Sequence, residues 1–272
     1  MKKTGLGAAI FIVVLLLIAF RNDDGDWFTP DRRSRVETPS PDKLRFNLDK
    51  SDQVLIVTTD SWGATHATAA LWERQSDGSW KNSTADSQAR IGRNGFSQNR
   101  SEGDGTSPVG SFRLTAAFGS AKESSTNLPY SKVEPGDCWI SDTNDASYNQ
   151  WTTRTNCAPP NVNMYELARD NGPYAHAVVI DFNSRPISPG MGSAVFLYRN
   201  ELLKGSRSTT TATKAGVTLS ESDLMEVFRK LDEDAHPVIV MGPLKWIVGP
   251  RDVTAVVDGE KVSLDPGPDG AG

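Results

Sequence analysis

The chain has 272 residues, 37% of them hydrophobic, enough for one sizeable core with appendages. Its formal net charge of −5, from 29 Lys and Arg against 34 Asp and Glu, argues against a nucleic-acid surface. Three dispersed histidines (His66, His176, His236) and two cysteines show no ligand spacing, so neither a metal nor a cofactor is expected.

Lys2 and Lys3 precede sixteen uncharged residues, 5–20, and Arg21-Asn22-Asp23-Asp24 follow. At about 1.5 Å per residue this run spans roughly 24 Å, short of a hydrocarbon core of about 30 Å and close to a secretory apolar region. Ile18-Ala19-Phe20-Arg21 offers no clean small-x-small cleavage site, so an uncleaved signal anchor over residues 1–22 is favoured. The alternative is secretion after signal cleavage. The two lysines predict a cytoplasmic N-terminus and a single pass, with the rest of the chain outside a bacterial cell membrane. Residues 23–50, with Pro30, Pro39 and Pro41 among charges, read as an extracytoplasmic linker. Within it Arg32-Arg33-Ser34-Arg35 reads as solvated linker, with contact to an anionic envelope polymer as the alternative.

Val54-Leu55-Ile56-Val57 is a β-branched run suited to a buried strand. Residues 70–74 and 80–82 flank Ser76-Asp77-Gly78-Ser79, a hairpin signal because Asp-Gly readily supplies positive φ. Gly103, Gly105, Pro108 and Gly110 punctuate the approach to a strand at 111–115. Further strands are predicted at 176–182 and 193–198, His176 lying in the first as a core histidine. Ser220 and Asp223 form a capping-box-like pair before Leu224, Val227, Phe228 and Leu231, which repeat with helical spacing. Pro237 closes that helix, with His236 in a turn or helix-end role, and a strand at 238–241 follows. Many short strands with one main helix near the C-terminal end predict a β-rich α+β domain over residues 51–243. Residues 244–272 read as a hairpin around Asp258-Gly259 and a disordered tail.

Cys138 and Cys157 lie 157 − 138 = 19 residues apart, and no other thiol competes. Outside the membrane a disulfide is expected; a buried free pair and a reactive thiol are the alternatives.

Several blocks carry a resemblance. Ile91-Gly92-Arg93-Asn94-Gly95 precedes Glu102-Gly103-Asp104-Gly105-Thr106-Ser107-Pro108-Val109-Gly110-Ser111-Phe112, and Phe118-Gly119 follows. Trp139-x-x-Asp142 precedes Tyr148-Asn149, and residues 177–183 read AVVIDFN. Residues 192–198 (GSAVFLY), 213–224 (TKAGVTLSESDL) and 236–242 (HPVIVMG) complete the series. In this order, over roughly residues 53–242, they resemble the catalytic domain of the YkuD-like L,D-transpeptidases of peptidoglycan. The resemblance implies a mixed β-sheet or sandwich fold.

It also exposes two substitutions. Where the family has a histidine this chain has Tyr198, and where it has a cysteine nucleophile in a T-x-G-C-V-x-L turn it has Gly216, preceded by Ala215. No catalytic residue of the family pattern is intact. Acyl transfer through a thioester needs a thiolate beside a base, and neither glycine nor a phenol of ordinary pKa near 10 provides one. Ser208, Thr209, Thr210, Thr211 or Thr213 with Lys214 as base would be a substitute, against the plainer reading of a solvated polar loop. Pocket-lining positions implied by the resemblance are Arg93, Asp104, Tyr148, Asn149, Asn183, Ser193, Tyr198, Thr213, Lys214 and Gly216. The expectation is a membrane-anchored, peptidoglycan-associated pseudoenzyme that binds stem peptides or a cell-wall enzyme partner. The alternative is an acyltransferase on stem peptides that works through rearranged residues.

Overall fold

The computed structural model describes residues 36–122, 125–201 and 210–250, with the backbone of 256–257 and 260–261. All belong to one unit, Val36–Gly272. The expected anchor, the polar loop at 202–209 and the terminal tail lie outside the described residues.

The first strand, β1 (Gln53–Thr59), is buried along its whole length. Its residues alternate between two apolar clusters, Leu55 and Val57 in one and Val54 and Ile56 in the other. That is the pattern of a strand covered on both faces, and it explains why the run reads as continuously hydrophobic. β2 (His66–Arg74) pairs antiparallel with β1, and β3 (Trp80–Asn82) closes the predicted hairpin on β2. Gly78 at φ 84° supplies the turn. β4 (Ser87–Arg90) pairs with β2 along the same edge as β3, opposite β1.

Two short strands, β5 (Phe96–Ser97) and β6 (Ser107–Pro108), pair parallel at the two ends of a glycine-rich loop. β7 (Gly110–Gly119) follows, with β8 (Tyr130–Lys132) beside it. A separate three-stranded sheet contains β9 (Asp137–Trp139), β10 (Trp151–Thr153) and β11 (Val162–Asn163), with β9 in the middle. Helix α1 (Met164–Ala168) follows directly, capped by the Asn163 side chain.

The main sheet resumes with β12 (His176–Ile180), β13 (Phe196–Arg199) and β14 (Val217–Leu219). The predicted strand at 193–198 therefore begins three residues late, because Asn149 accepts the Ala194 N–H in place of a ladder partner. Helix α2 (Glu221–Lys230) is capped by Ser220, whose hydroxyl accepts the Asp223 N–H. Asp223 returns to that hydroxyl instead of the backbone, so the reciprocal half of the capping box is altered. Leu224, Val227 and Phe228 are buried on one face, and Leu231 is buried as the C-cap. His236 adopts φ 47° after a single helical turn, so it shapes the corner before β15 (Val238–Pro243). α3 (Leu244–Ile247) comes next, and the terminal pair β16 (Val256–Val257) and β17 (Glu260–Lys261) is antiparallel, as expected around Asp258-Gly259.

The pairings close on themselves. The order β1-β15-β7-β12-β13-β14-β4-β2 returns to β1 through the β1–β2 ladder. β1/β15 and β13/β14 are parallel; the other ladders of this ring are antiparallel. A closed ring leaves none of these eight strands an open edge. The enclosed cluster runs from Leu55 and Leu71 through Leu114, Val178, Leu197 and Val217 to Phe228 of α2. A third cluster, of Phe118, Met164, Tyr174, Ala177 and Phe196, joins the ring to the three-stranded sheet.

Residues 36–50 are not a free linker. Leu44 and Leu48 are buried beside Val54, Ile56 and Ile247, and Thr38 bonds Asp86 through both its N–H and its hydroxyl. The Arg45 N–H donates to Ile247, so 36–50 and 244–248 seal the same cluster. Both limits placed by sequence, at 50/51 and 243/244, fall inside packed structure. Proline and charge counts mark a spacer, but Leu44 and Leu48, with the Thr38 and Arg45 bonds, dock it.

Cys138 and Cys157 are bridged, with Cα atoms 5.7 Å apart. Replacing both with alanine should cost about 3 kcal/mol in the chain-entropy account and lower Tm by roughly 10 °C. Thermal unfolding followed by circular dichroism measures this. Two maleimide-reactive thiols in the native wild-type protein would contradict the bridge.

Candidate functional site

The segment before β14 is held by a loop far away in sequence. The Arg93 N–H donates to the Thr213 carbonyl at 2.8 Å, and the Thr213 N–H donates to the Ile91 carbonyl at 2.9 Å. The buried Ser107 hydroxyl accepts the Gly92 N–H at 2.9 Å and donates toward the Ala215 carbonyl at 2.7 Å, with Gly216 O at 3.1 Å. Thr213 Oγ1 donates to the same Gly216 carbonyl at 2.7 Å. These bonds fix the turn 213–216 before the parallel ladder Leu197↔Val217, Tyr198↔Thr218 begins.

Tyr198 and Gly216 are therefore neighbours. A Cβ placed on Gly216 would lie 3.0 Å from Tyr198 Cε1 and 2.3 Å from the Phe196 carbonyl oxygen. The second distance is decisive, because backbone cannot yield as a flexible side chain can. Position 216 has no volume for any side chain, let alone a thiol. Tyr198 packs edge-on to Tyr174 with ring centroids 5.0 Å apart. Burial, and after it the Glu201 carboxylate, pushes its phenol well above the ordinary value. It stays protonated at neutral pH and cannot serve as a base. The Thr213 hydroxyl is buried and already donates, whereas Lys214 is exposed. Ser208 and Thr209 lie outside the described residues.

A second polar network gathers four more of the expected positions. The buried Tyr148 hydroxyl donates to Glu102 Oε2 at 2.5 Å and accepts the Gly192 N–H at 3.0 Å. Asn149, at φ 57°, uses its whole amide. It accepts from Trp139 Nε1 (2.9 Å) and the Ala194 N–H (3.1 Å), and donates to the carbonyls of Phe182 (3.1 Å) and Asn183 (2.8 Å). Asn183 ties the carbonyls of Ser188 and Gly192, and Ser193 bonds Ser141. The turn 102–106 connects the two networks. Glu102 reaches Tyr148, the Gly103 carbonyl accepts from exposed Arg93, and Asp104 accepts from Ser101 and Thr106. Burial pushes the Asp104 carboxyl up, but those donors and Arg100 outweigh it and hold it below the usual range.

Two contributors escaped the sequence reading. Ser107 looked like one more small residue beside a proline, yet its hydroxyl carries the loop crossing. Arg100 is only 4% exposed, lies 3.8 Å from Asp104 and stacks over Phe182, 5.0 Å from the ring centroid. Its Nε and Nη1 have no hydrogen-bond partner among the described residues, and burial lowers its pKa against the pull of Asp104 and Glu102. Nothing in a run such as Ser97-Gln98-Asn99-Arg100 signals a buried guanidinium. Among the described residues no group of three or more His, Cys, Asp or Glu could hold a metal ion.

Taken together, the polar side chains around 198 and 216 hold loops in place. Among the described residues the arrangement offers shape and fixed backbone, with the Thr213 hydroxyl committed to the Gly216 carbonyl.

Gly216→Ala should lose about 3 kcal/mol, read as a lower midpoint in urea with an unchanged slope. A near-neutral result would mean that β13 and β14 can part at this point. For Tyr148, burial first and then Glu102 push the phenol up to about 12. The folded pKa is raised, so this stabilisation is fully present below the unfolded value near 10 and is lost as pH rises from there through about 12. Alkaline titration of the wild type and Tyr148→Phe should show the variant with a shallower loss over that window.

No protein-family model matches this chain, and no curated protein matches it.

Proposed function

We propose that this protein is a membrane-anchored, extracytoplasmic domain of L,D-transpeptidase-like architecture that binds peptidoglycan stem peptides without catalysing their transfer. The observation that carries this reading is the contact between Tyr198 and Gly216, the two positions the resemblance assigns to base and nucleophile. Their adjacency is what a shared ancestry of the turn would leave behind. Their chemistry is that of a site that cannot form an acyl-enzyme. The loop that precedes and contains the Glu102-Gly103-Asp104-Gly105 block is bonded to the 213–216 turn, so the resembling motifs meet around one place.

The rearranged-enzyme alternative finds less support. It would need Thr213 or its neighbours activated by Lys214, but the Thr213 hydroxyl is committed to the Gly216 carbonyl. The anchor and its orientation rest on Lys2, Lys3 and the apolar run, and no helix among the described residues is long and apolar enough to cross a membrane.

The test uses the full chain in detergent. Incubation with a carbapenem should leave the intact mass unchanged, and no D-amino acid should exchange into a tetrapeptide stem. Isothermal titration with soluble stem peptides should nevertheless give saturable binding. A covalent adduct lost in Thr213→Val would establish the rearranged enzyme. Absence of both adduct and binding would remove the stem-peptide reading.

A further inference from the structure

Because β1 and β15 run parallel and side by side, the chain leaves both at the same end of the ring, where Thr59 pairs with Pro243. The next residues face each other across a cleft of about 360 Å³ lined by Asp60, Ser61, Trp62, Pro243, Lys245 and Trp246. This lies within the range of small-molecule sites. The indoles of Trp62 and Trp246 stand 6.0 Å apart at 66°, forming a corner rather than a stack.

Trp62 is 41% exposed, one of two large hydrophobic side chains so exposed among the described residues. Its exposure is not a matter of a loose loop. The Trp62 carbonyl accepts the Phe96 N–H at 2.8 Å, and the Thr59 hydroxyl bonds the Ser61 carbonyl at 2.7 Å. Gly95, at φ 75°, comes so close that a Cβ there would strike the Trp62 carbonyl. Trp246 is held from behind by Phe46, centroids 5.8 Å apart, and by the Arg45 guanidinium 5.4 Å from its ring centroid. Two indoles meeting in a solvent-open corner, on backbone tied by these bonds, leave apolar surface that a ligand of matching shape can cover.

The rim identifies the ligand class. Exposed Asp60 and Lys245 carry opposite charges, so the cleft favours a neutral molecule over an anion or a cation. Together with the Ser61 hydroxyl they supply an acceptor, a donor and a group that is both, which suits a polyol. An added peptide strand has no place here, since β1 is paired on both sides by β15 and β2. A ligand with an apolar C–H face and a hydroxylated edge satisfies both indole and rim. A pyranose ring has these features, its C–H hydrogens meeting the negative face of the indole.

We propose that the Trp62–Trp246 corner is a carbohydrate-binding site for a neutral oligosaccharide. This is independent of the stem-peptide reading, since the probes below carry no peptide.

The experiment titrates chitotetraose and cellotetraose against the full chain in detergent, observed by saturation-transfer NMR. At least one sugar should bind saturably, and the ranking of the two distinguishes an N-acetylated from a plain glucan. Trp62→Ala should weaken binding by about tenfold or more, and Asp60→Asn should weaken it while the sugar's ring C–H protons still receive saturation from the protein. Trp62 is exposed, so its replacement leaves the fold intact, checked by an unchanged melting curve. No saturable binding of either sugar would overturn the proposal. So would equal affinity in wild type and Trp62→Ala, or a patch that self-associates in a Trp62-dependent way without binding sugar.

Discussion

Closure of the β1–β2 ladder is the constraint from which the rest of the molecule follows. With β15 on its other side, β1 has partners on both edges and apolar contacts on both faces. Each fully buried Leu, Ile or Val contributes about 1.5–3 kcal/mol, and slipping the register by one residue would exchange the sets facing the two clusters. That rigidity sets where chain leaves the ring. At one end it brings Asp60 to Trp62 beside Pro243 to Trp246, and around the ring it places β13 parallel to β14.

The parallel pair β13/β14 decides the packing around Gly216. A parallel connection needs a long crossover, so the turn entering β14 must be fixed by something other than a tight hairpin. The loop containing Gly92, Arg93 and Ser107 does this, with backbone bonds to Thr213 and a buried hydroxyl against Ala215 and Gly216. The close approach of Phe196 to Gly216 follows, and it removes room for a side chain. The surroundings are packed for glycine and would resist any larger side chain at 216.

The second network shows the same economy of polar groups. Asn149 fills its whole amide, and Tyr148, Asn183 and Ser193 knit the 183–194 loop to the three-stranded sheet. Buried polar groups that are fully satisfied hold one conformation rather than serving as acids or bases. Arg100 is one exception, buried with two nitrogens unpartnered among the described residues yet offset by Asp104 and by the Phe182 ring. Exposed Trp62 is the opposite exception, an apolar group held in water.

Local chemistry was legible where neighbours in sequence decide the outcome. The β1 run, the Asp77-Gly78 hairpin, the Ser220 cap and the apolar face of α2 were all readable, because period, turn residue and cap are properties of a few adjacent residues. A bridge between Cys138 and Cys157 was an expectation for two cysteines outside the membrane, with a free pair left open, and the Cα separation of 5.7 Å is what joins them. What required the tertiary structure was every feature made by residues distant in the chain. Leu44 and Leu48 became core only because Ile247 lies beside them, and Ser107 became a latch only because the ring carries 213–216 past it. The Trp62–Trp246 corner arises because two parallel strands end together, 184 residues apart in register from Thr58 to Gly242. Sequence order carries no measure of such distances; ladder closure sets them.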